Sequence, residues 1–392
     1  MDRRTFIKLT AVTSTAAGLA NCGNPENQLV RFIPDEDIMP GIAEMKPGAC
    51  PLCGAGCGTT VRVMQADVDT VRNNQAGVVA MSVAKRIDGN ATHPISKGAL
   101  CARGEAAIQI TFHPDRLTQP MKRTGQRGSG QFQAIGWDDA INELVSKLDA
   151  LAGGGSANAL AFWTRPGASS RHDLVATFLE RFGAPAATPF GFFADDVLRR
   201  ANAISFGHEQ LPTLDISESL YVISFGADFL GTWNAPVQQN AAYGRFRRGR
   251  PDVRGKFVQV EPRMSLTGAS ADEWVAVRPG TEGVLALGLA HVIIDQKLRA
   301  ANAAGAAGAA IDGWSGGLAD YAPDAVEKKT GVKADRIERL ARELANASPA
   351  VAFAAGPALA QTNGLFQALA VNALNALLGS VGKPGGLTFM PQ

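Results

Sequence analysis

The chain has 392 residues, of which 46% are hydrophobic and 19% charged, and its formal net charge is +2. That length holds two or three domains with full cores, while the near-neutral balance excludes a global field that recruits nucleic acid or an anionic membrane. Forty-three glycines imply close helix–sheet packing and many tight turns.

The N-terminus, Asp2-Arg3-Arg4-Thr5-Phe6-Ile7-Lys8, is a twin-arginine pattern followed by an apolar stretch over residues 9–20. That stretch is too short for an ordinary membrane-spanning helix and reads as a targeting segment, residues 1–22. Cleavage after Ala20 and lipidation of Cys22 both stay open, because Leu19-Ala20-Asn21-Cys22 resembles a lipobox. Residues 23–48 are Pro-rich and read as an irregular tether.

Residues 49–125 read as a compact unit with short strands over 59–64 and 78–83 behind a cysteine loop. The loop is Cys50-Pro51-Leu52-Cys53-Gly54-Ala55-Gly56-Cys57-Gly58, and 43 residues separate Cys57 from Cys101. Three thiolates from one small-residue loop and a fourth from a distant segment suit a [4Fe–4S] cluster. A zinc site usually pairs two short knuckles, and disulfides suit exported chains; both remain as alternatives. Glycines let the backbone wrap close to bound sulfur. Twin-arginine export carries folded proteins, so it fits a cofactor inserted before export.

From residue 137 onward helix and strand alternate. The expected elements are a helix over 138–151 with Ile141, Leu144, Val145 and Leu148 on one stripe, a strand over 159–163 and a helix over 170–182 ending at Gly183. Strands follow over 220–225, 256–260 and 274–277, then a helix to Gln296, a strand over 351–354 and a helix over 365–378. Residues 300–317, rich in Ala and Gly, read as a mobile surface loop. The pattern implies an α/β fold: a small N-terminal [4Fe–4S] domain, then a mostly parallel, doubly wound sheet over 137–392.

In such sheets ligands bind beyond the carboxyl ends of the strands. Gly226-Ala227-Asp228 offers a bare turn with a carboxylate. Glu261-Pro262-Arg263 puts an acceptor for ribose or guanine beside a cation for phosphate. Arg278-Pro279-Gly280-Thr281-Glu282 offers a glycine turn, a hydroxyl and a carboxylate at a helix start. Together the three strand ends point to a large nucleotide-bearing cofactor.

These motifs resemble those of molybdopterin oxidoreductases of the dimethyl sulfoxide reductase superfamily. The resemblance rests on Cys50, Cys53 and Cys57, on Gly89-Asn90-Ala91-Thr92-His93-Pro94, and on Gly98-Ala99-Leu100-Cys101-Ala102-Arg103-Gly104. Pro114-Asp115-Arg116-Leu117, Trp137-Asp138-Asp139-Ala140, Glu261-Pro262-Arg263, Arg278 to Glu282 and Gly379-Ser380-Val381-Gly382-Lys383-Pro384-Gly385-Gly386 extend it over nearly the whole chain after the leader.

The resemblance implies a [4Fe–4S] cluster held by Cys50, Cys53, Cys57 and Cys101. It also implies a molybdenum or tungsten bis(pterin guanine dinucleotide), with Gly226, Asp228, Glu261, Arg263, Gly280, Thr281 and Glu282 as binding residues. Arg103 stands at the family's basic position, which favours electron arrival. The metal's protein ligand in such enzymes falls near residues 194–196 here, where Asp195 and Asp196 are the candidates; the other reading is that they polarise a helix start.

The family's full subunits run well beyond the final Gly-Gly signature. A fragment, a split protein and a cofactor-poor relative therefore stay open. The implied protein is an exported oxidoreductase subunit passing electrons between a small substrate and a respiratory chain, on the periplasmic side. Its partners would be a ferredoxin-like iron–sulfur subunit and a membrane quinone-reactive subunit. The other reading is a non-catalytic scaffold or electron relay resembling that of alternative complex III. Arg245-Phe246-Arg247-Arg248-Gly249-Arg250 reads as a helix end or a partner contact rather than a nucleic-acid site, and the five histidines show no metal-ligand spacing.

Overall fold

The structure, a computed structural model, describes residues 37–38, 43–72, 75–166, 169–191 and 195–390. The twin-arginine segment and Cys22 lie outside the described residues. The chain forms two compact units: residues 1–48, 59–88 and 102–137 in one, and residues 49–58, 89–101 and 138–392 in the other.

In the first unit the β-branched run Thr59-Thr60-Val61 opens a long strand, β3 (Gly58–Arg72). It pairs with β1 (Asp37–Ile38), β2 (Glu44–Ala49) and β4 (Gln75–Gly89). Residues 37–38 and 44–49 are therefore strands and not the irregular tether expected there. A strand as long as β3 offers edges that its neighbours satisfy by pairing. Short helices α1 (Ala102–Glu105) and α2 (Ala107–Thr111) and the hairpin β5 (Met121–Arg123)–β6 (Phe132–Ala134) complete this unit.

The second unit contains a parallel four-stranded sheet in the order β12-β11-β10-β13. Its strands are β10 (Tyr221–Phe225), β11 (Lys256–Val260), β12 (Glu273–Val275) and β13 (Ala350–Ala354). β10 and β13 are buried at every position, as expected of strands covered on both faces. The helices are α3 (Trp137–Gly153), α4 (Ser170–Phe182), α5 (Asp196–Phe206), α6 (Pro236–Arg248) and α7 (Leu266–Ala269). They continue with α8 (Glu282–Asp295), α9 (Ala306–Ala309), α10 (Pro323–Thr330), α11 (Ala334–Asn346) and α12 (Gly364–Leu378).

Two small strand pairs lie outside that sheet, β7 (Trp163–Thr164) with β8 (Thr188–Pro189) and β9 (Thr213–Leu214) with β14 (Leu387–Thr388).

The order of the strands creates a crevice. β10 leads through α6 to β11 on one side, whereas β12 leads through α8 to β13 on the other. Right-handed crossovers in opposite directions place these helices on opposite faces. α12, which follows β13, packs against α8. Adjacent strands β10 and β13 thus send their connections to opposite faces, and the switch point for a ligand falls between their carboxyl ends.

Three further expectations need correction. The apolar run 159–163 yields only a 3-10 turn over Ala157–Ala159 and the two-residue strand β7. Residues 300–317 are not a mobile surface loop: Ala304, Ala307, Ile311 and Trp314 are buried in the core. The Trp314 indole lies so close to Gly308 that a Cβ there would come within 2.5 Å of the ring, and its N–H donates to the Ala301 carbonyl. Small residues were needed to admit a large ring. The α3 stripe, finally, faces solvent: Ile141, Leu144 and Val145 are exposed, and nothing in α3 is buried.

Candidate cofactor site

All four cysteines of the loop and its closing segment fall in the second unit as free thiols, with Cys57 buried and the others half-buried. The Cys50 N–H donates to the Cys57 carbonyl at 2.8 Å and closes the loop. Burial pushes the Cys57 thiol up, and the neighbouring Cys53, Cys101 and Cys50 push it further. Cys53, Cys101 and Cys50 are thus near enough to act on the Cys57 thiol electrostatically. Among the described residues, no three His, Cys, Asp or Glu side chains could hold a single metal ion. A cube spreads its thiolate ligands over separate iron corners, and a donor set of four free thiols suits it chemically.

The closing segment is locked by close approaches. The Asn90 N–H donates to the Gly58 carbonyl, and the Gly58 N–H donates to Ser96 Oγ, which meets His93 Nδ1. A Cβ on Gly58 would lie 2.5 Å from His93 Cβ, and one on Gly89 would lie 2.2 Å from the Gly98 carbonyl oxygen. His93 thus packs against the end of the cysteine loop, a contact that spacing alone did not reveal. Arg103 lies in α1, two residues after Cys101 in sequence.

At the carboxyl ends of the strands the expected residues divide. Glu282 begins α8 and is 1% exposed, and neither carboxylate oxygen has a hydrogen-bond partner in the protein. A buried polar group without a partner is costly, and here it suits a ligand that brings N–H or O–H donors. Glu261 differs: its Oε1 accepts from the Ser265 N–H and Oγ, and its Oε2 accepts from Gln259 Nε2. Asp228 accepts from the hydroxyls of Thr267 and Thr232. Arg263 is exposed. Thr281 donates its hydroxyl to the Arg278 carbonyl, and Gly280 adopts φ +79°.

Gly226 and Gly356 mark the switch point. Both have positive φ, and a Cβ on Gly226 would lie 3.1 Å from the Ala355 carbonyl oxygen, leaving a bare backbone crevice. Sequence reading passed over Gly356, although a Gly-Pro turn after an apolar strand was a usable signal. It also passed over Asn363, whose Nδ2 donates to the Gly280 carbonyl, and Gln367, which accepts from the Gly283 N–H. These residues hold the turn that presents Glu282.

Asp195 sits immediately before α5, partly buried, and accepts from the Trp233 indole N–H at 3.0 Å. Burial pushes its carboxyl up, while Trp233 and Arg199 pull it down. Asp196 is exposed. Residue 194 lies outside the described residues.

Comparison with known proteins decides the family. The molybdopterin oxidoreductase model matches residues 116–391, and the molybdopterin oxidoreductase Fe4S4 domain matches residues 43–113. The chain belongs to the molybdopterin oxidoreductases, in the dimethyl sulfoxide reductase superfamily.

This molybdopterin oxidoreductase chain is 30% identical over 354 residues to the menaquinone reductase, molybdopterin-binding-like subunit, of Nitratidesulfovibrio vulgaris, covering 90% of this chain and 46% of that one. It is 26% identical over 389 residues to the thiosulfate reductase molybdopterin-containing subunit of Salmonella typhimurium, covering 99% and 47%. The acetylene hydratase from Pelobacter acetylenicus shares its fold, with TM-score 0.61 and 22% identity over 86% of this chain and 43% of that one. The chain spans about half the length of the curated relatives it matches. A [4Fe–4S] cluster and a molybdenum–pterin cofactor are the groups these domains hold, and the four thiols and the unpartnered Glu282 fit them.

Proposed function

We propose that this chain is an electron-transferring subunit of an exported respiratory molybdopterin oxidoreductase. What carries the reading is the pairing, within one unit, of four free thiols, Cys50, Cys53, Cys57 and Cys101, with an unpartnered buried carboxylate, Glu282, at the carboxyl end of a parallel sheet. When bound, the molybdenum or tungsten pterin supplies two-electron chemistry on a small substrate, and the cluster supplies one-electron transfer.

The chain's own residues do the holding. Cys50, Cys53, Cys57 and Cys101 ligate the iron. Glu282 accepts hydrogen bonds from the guanine or ribose of the dinucleotide. The bare backbone at Gly226 and Gly356 admits the dinucleotide's phosphates without a Cβ in the way. Asp228 and Glu261 brace the walls through Thr267 and Ser265, and Arg263 and Thr281 stand ready at the rim. Arg103 supplies a fixed positive charge that favours electron arrival. A ferredoxin-like subunit and a membrane quinone-reactive subunit are the proposed partners, with export by the twin-arginine route to the periplasmic side and Cys22 as an anchor point.

One observation favours a second reading, a scaffold or electron relay in a quinone-linked membrane complex. Asp195 already accepts a hydrogen bond from Trp233, so the best-placed metal-ligand candidate is engaged within the protein. The relative from Nitratidesulfovibrio vulgaris is itself described as molybdopterin-binding-like.

Elemental analysis of anaerobically purified protein, with spin resonance of the reduced sample, separates the readings. About four irons with molybdenum or tungsten support the catalytic subunit, and iron alone supports the relay. Zinc without iron sinks both.

A further inference from the structure

The cleft between α4 and residues 184–189 encloses about 520 Å³ and is walled in part by Arg165 and His172. Neither residue belongs to the site described above, yet Arg165 reaches it. Its guanidinium Nη1 donates to the carbonyl of Pro51, between Cys50 and Cys53 in the cluster loop, at 3.3 Å and across 114 positions of sequence. The backbone of Arg165 is held in turn. His172 Nε2 meets the Arg165 carbonyl at 2.9 Å, which makes Nε2 the donor. The other ring nitrogen, Nδ1, is hydrogen-bonded with Ser169 Oγ at 2.8 Å. Ser169 precedes α4, and its carbonyl accepts from the His172 N–H, so the histidine is anchored to the first turn of the helix.

We propose that Arg165, oriented by His172 and Ser169, is a positioning residue that fixes the cluster loop and raises the cluster's reduction potential; this rests on the cluster reading above. A guanidinium remains charged at every accessible pH. Reduction adds one negative charge to the cluster, so a fixed cation beside the loop stabilises the reduced state more than the oxidised one. Arg165 directly follows β7, far in sequence from both the cysteine loop and Arg103. The second contribution is mechanical: a donor on the Pro51 carbonyl restrains the loop whose ends meet at the bond between the Cys50 N–H and the Cys57 carbonyl.

The test is a redox titration of the cluster followed by spin resonance on the anaerobically loaded full chain, beside hydrogen exchange of the Cys50 amide in the metal-free chain. Arg165→Gln is expected to lower the potential, with the reduction equilibrium shifted on the order of tenfold, about 59 mV for one electron. Arg165→Lys is expected to recover most of that shift, and His172→Leu to move it in the same direction by less. In the metal-free chain, Arg165→Gln is expected to speed exchange at Cys50. An unchanged potential in Arg165→Gln, or a potential in Arg165→Lys as low as in Arg165→Gln, overturns the electrostatic role. Unchanged exchange overturns the mechanical one, and that readout stands even if the variant loads no iron. A wild-type chain that assembles no cluster defeats the underlying reading instead, which separates the two failures.

Discussion

The Trp233 indole N–H donates to the Asp195 carboxylate at 3.0 Å, tying the segment after β10 to the start of α5. Trp233 also stacks on Phe353 of β13, with ring centroids 6.0 Å apart, so the carboxylate is fixed to the sheet through one aromatic ring. Asp196, one position later, is exposed. Of the two adjacent acids, only Asp195 is held in a defined place.

That bond has a pH signature. Burial raises the Asp195 carboxyl above its ordinary range, and the Trp233 hydrogen bond opposes the rise. A carboxyl raised in the folded state contributes stability that is complete below the unfolded value, about 3.9, and lost as pH climbs through the folded value. Trp233→Phe removes the opposing bond, so its deficit relative to wild type should widen between about pH 3 and pH 6. Loss of the hydrogen bond itself accounts for about 1 kcal/mol. Urea unfolding across that range measures the difference, and a deficit constant with pH would refute the link.

The opposite end of the sheet carries an ion network of reverse sign. Arg336 and Arg339 of α11 both bond Glu273 of β12, and Arg339 also bonds Glu343. Burial alone would raise Glu273, but hydrogen bonds from Arg339 and Arg336 outweigh it and hold the carboxyl below its usual range. A depressed carboxyl contributes stability above the unfolded value, about 4.3, that disappears as pH falls through the folded value. The arginines are a third to half exposed, so solvent screening limits the effect. Glu273→Gln should cost about 1–2 kcal/mol at pH 7 and nearly nothing below about pH 3. Thermal unfolding at the two pH values checks it.

Much of this architecture was legible in the sequence because it rests on local signals. The helix over 170–182 stops where expected, at Gly183 with φ +79°, and the strand over 256–260 occupies the expected residues. The glycines at Gly58 and Gly89 could be read because each stands at a close approach, Gly58 on His93 and Gly89 on Gly98, that admits no side chain. What escaped depends on partners distant in sequence. An alanine–glycine run resembles a solvated loop until Trp314 is seen lying on Gly308. His172 resembled a stray histidine until its ring met the Arg165 carbonyl. An amphipathic stripe specifies a helix but not what covers it, and the α3 stripe shows that limit.

That stripe leads to a further prediction. Ile141 is 52% exposed and Leu144, one turn on along the same helix face, 58%. Contiguous exposed apolar side chains promote association. Ile141→Glu with Leu144→Glu should reduce binding of an apolar dye and self-association at high concentration. The unfolding temperature should barely move, because neither residue is buried. Sedimentation at several concentrations measures the first effect. A large fall in unfolding temperature would mean that the stripe is packed in solution.

Glu282 presents the sharpest conflict between stability and function. Its carboxylate is 1% exposed with both oxygens unpartnered, at the first turn of α8 where the helix dipole offers only partial compensation. In the cofactor-free chain such a group costs stability, and a neutral amide of nearly the same shape costs less. Glu282→Gln should therefore raise the stability of the cofactor-free protein by about 1–2 kcal/mol. The same change replaces one acceptor oxygen with a donor, so a ligand presenting N–H or O–H groups loses a charged partner. Retention of guanine nucleotide after gel filtration of the loaded protein should fall by about tenfold, since a hydrogen bond to a charged group contributes about 1.5–3 kcal/mol. A variant that is less stable when empty and holds the dinucleotide as tightly as wild type would remove Glu282 from the cofactor site. Opposite movements of the two quantities would identify its carboxylate as a binding group maintained at the expense of the fold.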